Sequence, residues 1–302
     1  MSIRSQITSN IFRSYIFMVI FTVLVIGLAY VFGQALGYGN SFIGIAVLLS
    51  VGSSFISYFF GDQIVLAMSG ARHATRKKDF NFFTVTENLS LASGLPMPKL
   101  YVIEDTAINA FATGRDPKHA VLCLTSGLLM RLERREIEGV VAHELSHVEN
   151  YDIRMMAIVA VLVGTVAYAS DFFMRSLWWG GSAGGRSDRD SDRDNNGIFL
   201  VIGIVLAIVS PLIAMLIQMA ISRKREYLAD ASGVLLTRYP EGLARALEKI
   251  SKDKEVLEAA TNATAHLFIA NPFKGKQFGA WFAGLFDTHP PIEERIKILR
   301  AM

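Results

Sequence analysis

The chain has 302 residues, 52% of them hydrophobic, with a formal net charge of +3 and a single cysteine. So apolar a composition excludes an ordinary soluble domain of average usage and makes a membrane protein the first expectation. The lone Cys123 rules out an intrachain disulfide framework and reads as a buried core thiol, and the small net charge gives no reason to expect a nucleic-acid partner.

From Ser14 to Gly61 there is no charged residue, and only the polar, Gly-containing piece Gln34 to Ser41 interrupts the run. A spanning helix needs about 20 apolar residues. The stretch therefore reads as two spans, near Tyr15 to Phe32 and Phe42 to Phe60, joined by a tight turn. A third apolar run, Met155 to Met174, and a fourth, Ile198 to Ile221, make four expected transmembrane helices; Pro211 in the last is tolerated where neighbours re-satisfy the freed carbonyl. Basic residues cluster at Arg4 and Arg13, at Arg72, Arg76, Lys77 and Lys78, and at Arg223, Lys224 and Arg225. The positive-inside rule then puts the N-terminus, the Asp62 to Arg154 segment and the C-terminal part in the cytoplasm, with the loop 175–197 on the other side. Four parts follow: a transmembrane hairpin (1–61), a cytoplasmic half-domain (62–154), the third and fourth spans (155–222) and a cytoplasmic C-terminal half (223–302).

Between the second and third spans, Phe80 to Leu95 has helical spacing and ends at Gly94-Leu95-Pro96. Lys99 to Glu104, Asn109 to Thr113 and Ala120 to Leu124 read as short strands of a small sheet. Asn109, Ala110, Phe111 and Ala112 are the expected edge, where a substrate can add as a further strand. Thr125 or Ser126 can cap a short helix through Leu132, and from Glu133 a helical pattern resumes.

That last helix carries V-A-H-E-L-S-H. Four-residue spacing sets His143 and His147 on one face, where two neutral imidazoles can share one Zn²⁺ per chain and leave room for a third ligand and a water. Glu144, beside the metal and not on it, is placed to take a proton from that water. The helix reads as continuing through Tyr151 and Arg154 into the third span, with the metal about 12 Å of helix from Met155.

Beyond the fourth span, S-R-K-R-E-Y-L-A-D-A sets Glu226 and Asp230 on one helix face. Glu226 completes a known catalytic zinc set, and Asp230 is placed to hold a ligand imidazole. Pro240 opens an amphipathic helix, Lys252 to Ala260 reads as another, and Phe278 to Phe286 is aromatic-rich. Thr288-His289-Pro290-Pro291 introduces a final helix bearing Arg295. His73, His119 and His266 lack a partner pattern and read as surface or structural residues.

V-A-H-E-L-S-H, a fourth span followed by S-R-x-x-E-Y-x-A-D, T-H-P-P-x-E-E-R-I and the N-A-F-A-T-G segment at Asn109 to Gly114 together resemble the HtpX-like membrane zinc metalloproteases, bacterial relatives of the CAAX prenyl endoproteases and of a mitochondrial inner-membrane protease. The likeness covers essentially the whole chain. It implies a mainly α fold of four transmembrane helices plus a cytoplasmic gluzincin-type metalloprotease domain with a small β-sheet. It further implies that His143, His147 and Glu226 bind zinc, that Glu144 is the general base, and that Asp230 orients the site. His289 and Arg295 would line the cleft and stabilise the tetrahedral oxyanion. The expected activity is hydrolysis of misfolded or damaged membrane proteins at the cytoplasmic face of the bacterial inner membrane, as part of a stress response. Expected partners are membrane-protein or unfolded polypeptide substrates, the lipid bilayer and other quality-control proteases.

Overall fold

The computed structural model describes residues 3–35, 41–165, 223–261, 263–273 and 290–302. The far part of the third expected span, the fourth span, the 175–197 loop, the Phe278 to Phe286 segment and His289 lie outside them. The described residues are mainly helical with one small mixed sheet.

Two long helices, α1 (Ile3–Ala35) and α2 (Ser41–Met68), pack along each other. Among the described residues, one helical stretch is long and apolar enough to cross a membrane, Val47–Met68, and a shorter apolar stretch is Thr8–Leu24. Then come β1 (Arg72–His73), α3 (Phe80–Ser93), β2 (Lys99–Ile103), β3 (Ala110–Thr113), β4 (Val121–Thr125) and α4 (Ser126–Arg131). Gly94 ends α3 in the left-handed region at φ 72°, the C-terminal device that favours glycine. Thr125 caps α4, its side-chain oxygen accepting from the Leu128 N–H. The sheet order is β1-β2-β4-β3, with β2 and β4 parallel and the outer pairs antiparallel, so among the described residues β3 is an edge.

Behind the sheet runs α5 (Arg134–Glu149), opened by a reciprocal capping box between Glu133 and Glu136. It is buried nearly all round, by α3, by α7 (Arg223–Thr237) and by α8 (Pro240–Lys252). The approach to α8 is close: a Cβ on Gly139 would stand 2.5 Å from the Leu243 backbone nitrogen. The last helix, α9 (Ile292–Arg300), packs on α8 and α7.

Two expectations fail here. The metal-motif helix does not run on into the third span: α5 stops at Glu149, Tyr151 takes a left-handed φ of 61°, and a new helix, α6, starts at residue 152 and is described to 165. Asn150 causes the break, because its side-chain amide donates to the Ser146 carbonyl and its N–H caps the same turn. Nor is Lys252 to Ala260 a helix. Asp253 ends α8 in an extended conformation, and its carboxylate accepts from the Ile108 and Glu255 N–H groups and from Arg131. Those contacts to the 105–108 turn outweigh the local helix preference of the segment.

α6 is hydrophobic and buried on every side, as a helix enclosed by others must be. Phe17 of α1 meets Met155, Val159 and Val163; Phe21 meets Ile158 and Leu162. Cys123 is fully buried in the sheet, which pushes its thiol pKa up.

Candidate metal centre

α5 presents His143, Glu144 and His147 towards α7, and all three are buried. α7 comes near because Gly233 has no side chain: a Cβ there would stand 3.1 Å from the His143 nitrogen. One and two turns earlier on the same helix, Asp230 and Glu226 then face the histidines. Nε2 of His143 lies 3.3 Å from Nε2 of His147 and 3.8 Å from Glu226 Oε2, and His147 Nε2 lies 3.5 Å from Glu226 Oε1. The structure thus brings His143, His147 and Glu226 into one cluster.

The other ring nitrogens are held by carboxylates. His143 Nδ1 is 2.9 Å from Asp230 Oδ1, and His147 Nδ1 is 3.1 Å from Asp152 Oδ2. Each imidazole therefore carries its proton on Nδ1 and aims an Nε2 lone pair at the other. Two lone pairs and a carboxylate converging in a buried space repel unless a cation sits between them. The protein groups alone recruit a proton. Burial lowers the affinity of both rings for it and leaves His143 below the usual imidazole range. His147 is nevertheless pushed up to about 9, because the hydrogen bond to Asp152 and the charges of Glu226 and Asp152 outweigh burial. A metal cation held by these three residues would take the place of that proton. In a tetrahedral site with zinc–ligand bonds of about 2.0–2.1 Å, neighbouring ligand atoms lie about 3.3–3.4 Å apart. The 3.3 Å between the two Nε2 atoms matches that spacing, and the Glu226 oxygens, at 3.5 and 3.8 Å, stand slightly wide of it.

Burial pushes Glu144 up to about 7, against the opposing pull of His147, Arg295 and a hydrogen bond from the Ala112 backbone. A carboxylate so placed exchanges protons near neutral pH. Asp230 goes the other way, to about 2: burial would raise it, but Arg295 and His143 hold it ionised.

Arg295 does not line an open cleft. It is fully buried on α9, with Nε and Nη2 donating to the two oxygens of Asp230 at 2.8 and 2.7 Å and Nη1 to the Ile269 carbonyl at 3.4 Å. Its charge reaches the site through Asp230 and through Glu226, 3.7 Å away. Of the expected edge segment, Ala110 to Ala112 lie in β3, the last strand of the sheet among the described residues, and Asn109 precedes it; the segment is buried, the Ala110 carbonyl accepts from the Ile269 N–H, and Asn109 donates to the Ala270 carbonyl. Of the histidines without a motif, exposed His73 stacks on Tyr101, His119 pairs with Asp116, and buried His266 meets the Met156 carbonyl.

Sequence reasoning missed Asp152. In an unbroken helix it would lie about 140° around from His147, out of reach; the Asn150-Tyr151 break folds it back. Its other oxygen is held by Asn10 of α1 at 2.8 Å and by Arg225 of α7 at 3.2 Å, and Asn10 also donates to the Asn150 carbonyl. A carboxylate following H-E-x-x-H was the available signal. Asp152→Asn should weaken metal binding about 10–100-fold in competition with a chelator, and unchanged affinity would remove Asp152 from the site.

Fold and site together define a helix-borne H-E-x-x-H metallopeptidase. Residues 77–302 match the family described as "Peptidase family M48", and the chain belongs to that family. It is 42% identical over 293 residues to "Protease HtpX homolog" of Caldanaerobacter subterraneus subsp. tengcongensis, covering 97% of this chain and 95% of that one. To the protein of the same name in Tropheryma whipplei strain Twist it is 43% identical over 298 residues, 99% and 98% of the two chains. Among solved structures, Ste24p of S. mikatae shares the fold, with a TM-score of 0.52 at 17% identity over 95% of this chain and 67% of that one. The chain is a metalloprotease.

Proposed function

We propose that this metalloprotease is a zinc endopeptidase anchored in the bacterial inner membrane by four spans, cutting misfolded or damaged membrane proteins at the cytoplasmic face. The single observation that carries the catalytic part is the convergence of His143, His147 and Glu226 beside Glu144. Zinc bound by those three residues would acidify a coordinated water and polarise the scissile carbonyl. Glu144, poised near pH 7, accepts a proton at its carboxylate and returns it to the leaving amine. The Ala112 N–H fixes the orientation of Glu144. Asp230 and Asp152 hold the ligand rings, and Arg295 acts through Asp230 as a positioning residue. The oxyanion role then falls to His289, on its motif alone. A substrate lying along β3 meets an edge already engaged at the Ala110 carbonyl and at the Ala112 N–H, so it can add there only by displacing or sharing those contacts.

The bilayer part rests on the charge-free Ser14 to Gly61 stretch and on the basic residues that flank the expected spans. Zinc analysis of the nanodisc-reconstituted protein, with cleavage sites mapped on a single-span model substrate, tests both parts. We expect about one zinc per chain and cuts in the cytoplasmic flank. Cuts in the middle of the span would overturn the cytoplasmic site, and activity in zinc-free protein would overturn the metal.

A further inference from the structure

We propose that the face shared by α1 and α2 binds a phospholipid with an anionic headgroup, its phosphate at Arg115 and Arg154 and one acyl chain in the groove between the helices. The inference goes beyond the proteolytic reading and rests on its membrane part.

The groove is open, about 490 Å³, and apolar. Tyr15, Val19 and Val23 of α1 face Val51, Phe55 and Phe59 of α2, each set at i, i+4 and i+8 on its helix. From Phe59 to Val51 is about 12 Å of helix. Cations sit at the Phe59 end. The Arg115 guanidinium lies 5.4 Å from the Phe59 ring, and that of Arg154 lies 5.4 Å from Tyr58 and 5.2 Å from Tyr151.

Arg154 is buried and, among the described residues, has no carboxylate partner; its Nε donates to the Arg115 carbonyl. Buried charges are normally paired, so a guanidinium between two tyrosines points to an anion from outside the chain. Arg115 meets Asp116 at 3.6 Å and His119 at 2.8 Å and keeps part of its surface exposed. One turn into the groove from Tyr58, the buried Ser54 hydroxyl has no hydrogen-bond partner. With a phosphate at the arginines, about 6 Å of helix brings Ser54 to the depth of the glycerol ester carbonyls, which accept hydrogen bonds. Arginine, hydroxyl and apolar wall follow the order of phosphate, ester and chain in one lipid.

The test uses full-length, metal-loaded protein in nonionic detergent, equilibrated with phosphatidylglycerol or phosphatidylcholine, with bound lipid counted by native mass spectrometry. Phosphatidylglycerol should be retained preferentially, and Arg115→Gln and Arg154→Gln should each lower its retention about fivefold. Val51→Trp, which fills the groove, should lower retention of both lipids. Equal retention of the two lipids, or retention unchanged in Arg115→Gln and Val51→Trp, overturns the proposal even where Arg154→Gln fails to fold. Displacement of the lipid by millimolar inorganic phosphate would reduce it to an anion site without a chain and also overturns it. Recovery of the protein in the soluble fraction without detergent would instead sink the membrane reading beneath it.

Discussion

Glu144→Gln should keep its metal and lose cleavage by about 10²–10⁴-fold, the usual worth of a positioned acid–base group. Gln has the same shape, and its side-chain oxygen can still accept the Ala112 N–H. It cannot carry a proton. Because burial already holds Glu144 near pKa 7, removing its charge relieves a desolvated carboxylate beside Glu226, so the melting temperature should stay level or rise. Metal content, melting and hydrolysis of a membrane substrate, compared side by side with the wild type, give the answer. Cleavage at wild-type rate would exclude Glu144 as the base.

Arg295→Met should be damaging in a different way. It leaves Asp230 buried without the bidentate guanidinium, and breaking one side of a buried pair costs about 3–5 kcal/mol. The His143 ring loses the support of an ionised Asp230, so metal affinity should fall as well. The pH dependence has a defined sign. Asp230 has a folded pKa of about 2, below its ordinary 3.8, so its contribution is full above 3.8 and fades as pH falls towards 2. In Arg295→Met burial is no longer opposed by the guanidinium and the folded pKa moves up, so this acid-dependent loss between pH 3.8 and 2 should shrink or reverse, measured by urea unfolding of chelator-treated protein across acid pH. A variant with wild-type stability and metal affinity, defective in turnover alone, would instead favour a direct oxyanion role for Arg295.

Much of the site was legible because its signals are local. The four-residue spacings of His143 with His147 and of Glu226 with Asp230 are properties of a single helix turn, and they meet once α7 lies on α5. The three strands were readable as short runs between turn residues, and among the described residues β3 ends the sheet. That its edge is partly covered depends on Ile269 and Ala270, more than 150 residues away, as the Asn109 to Ala270 contact shows. The break after Glu149 was hidden because neither Asn150 nor Tyr151 is a strong helix breaker. Asparagine stops this helix by a side-chain bond to Ser146, which competes with the backbone ladder. Arg295 was found by motif, but its burial against Asp230 depends on how α9 packs, which spacing does not encode.

The Asn10 contact has a consequence for how this enzyme can be handled. α1 begins the chain, yet its amide grips both the Asn150 carbonyl and Asp152, the carboxylate behind His147. A trimmed version that starts after the first helix leaves the Asp152 oxygen opposite His147 to Arg225 and opens the wall of Phe17 and Phe21 against α6. Excising the protease from its amino-terminal helix is therefore an operation on the catalyst itself.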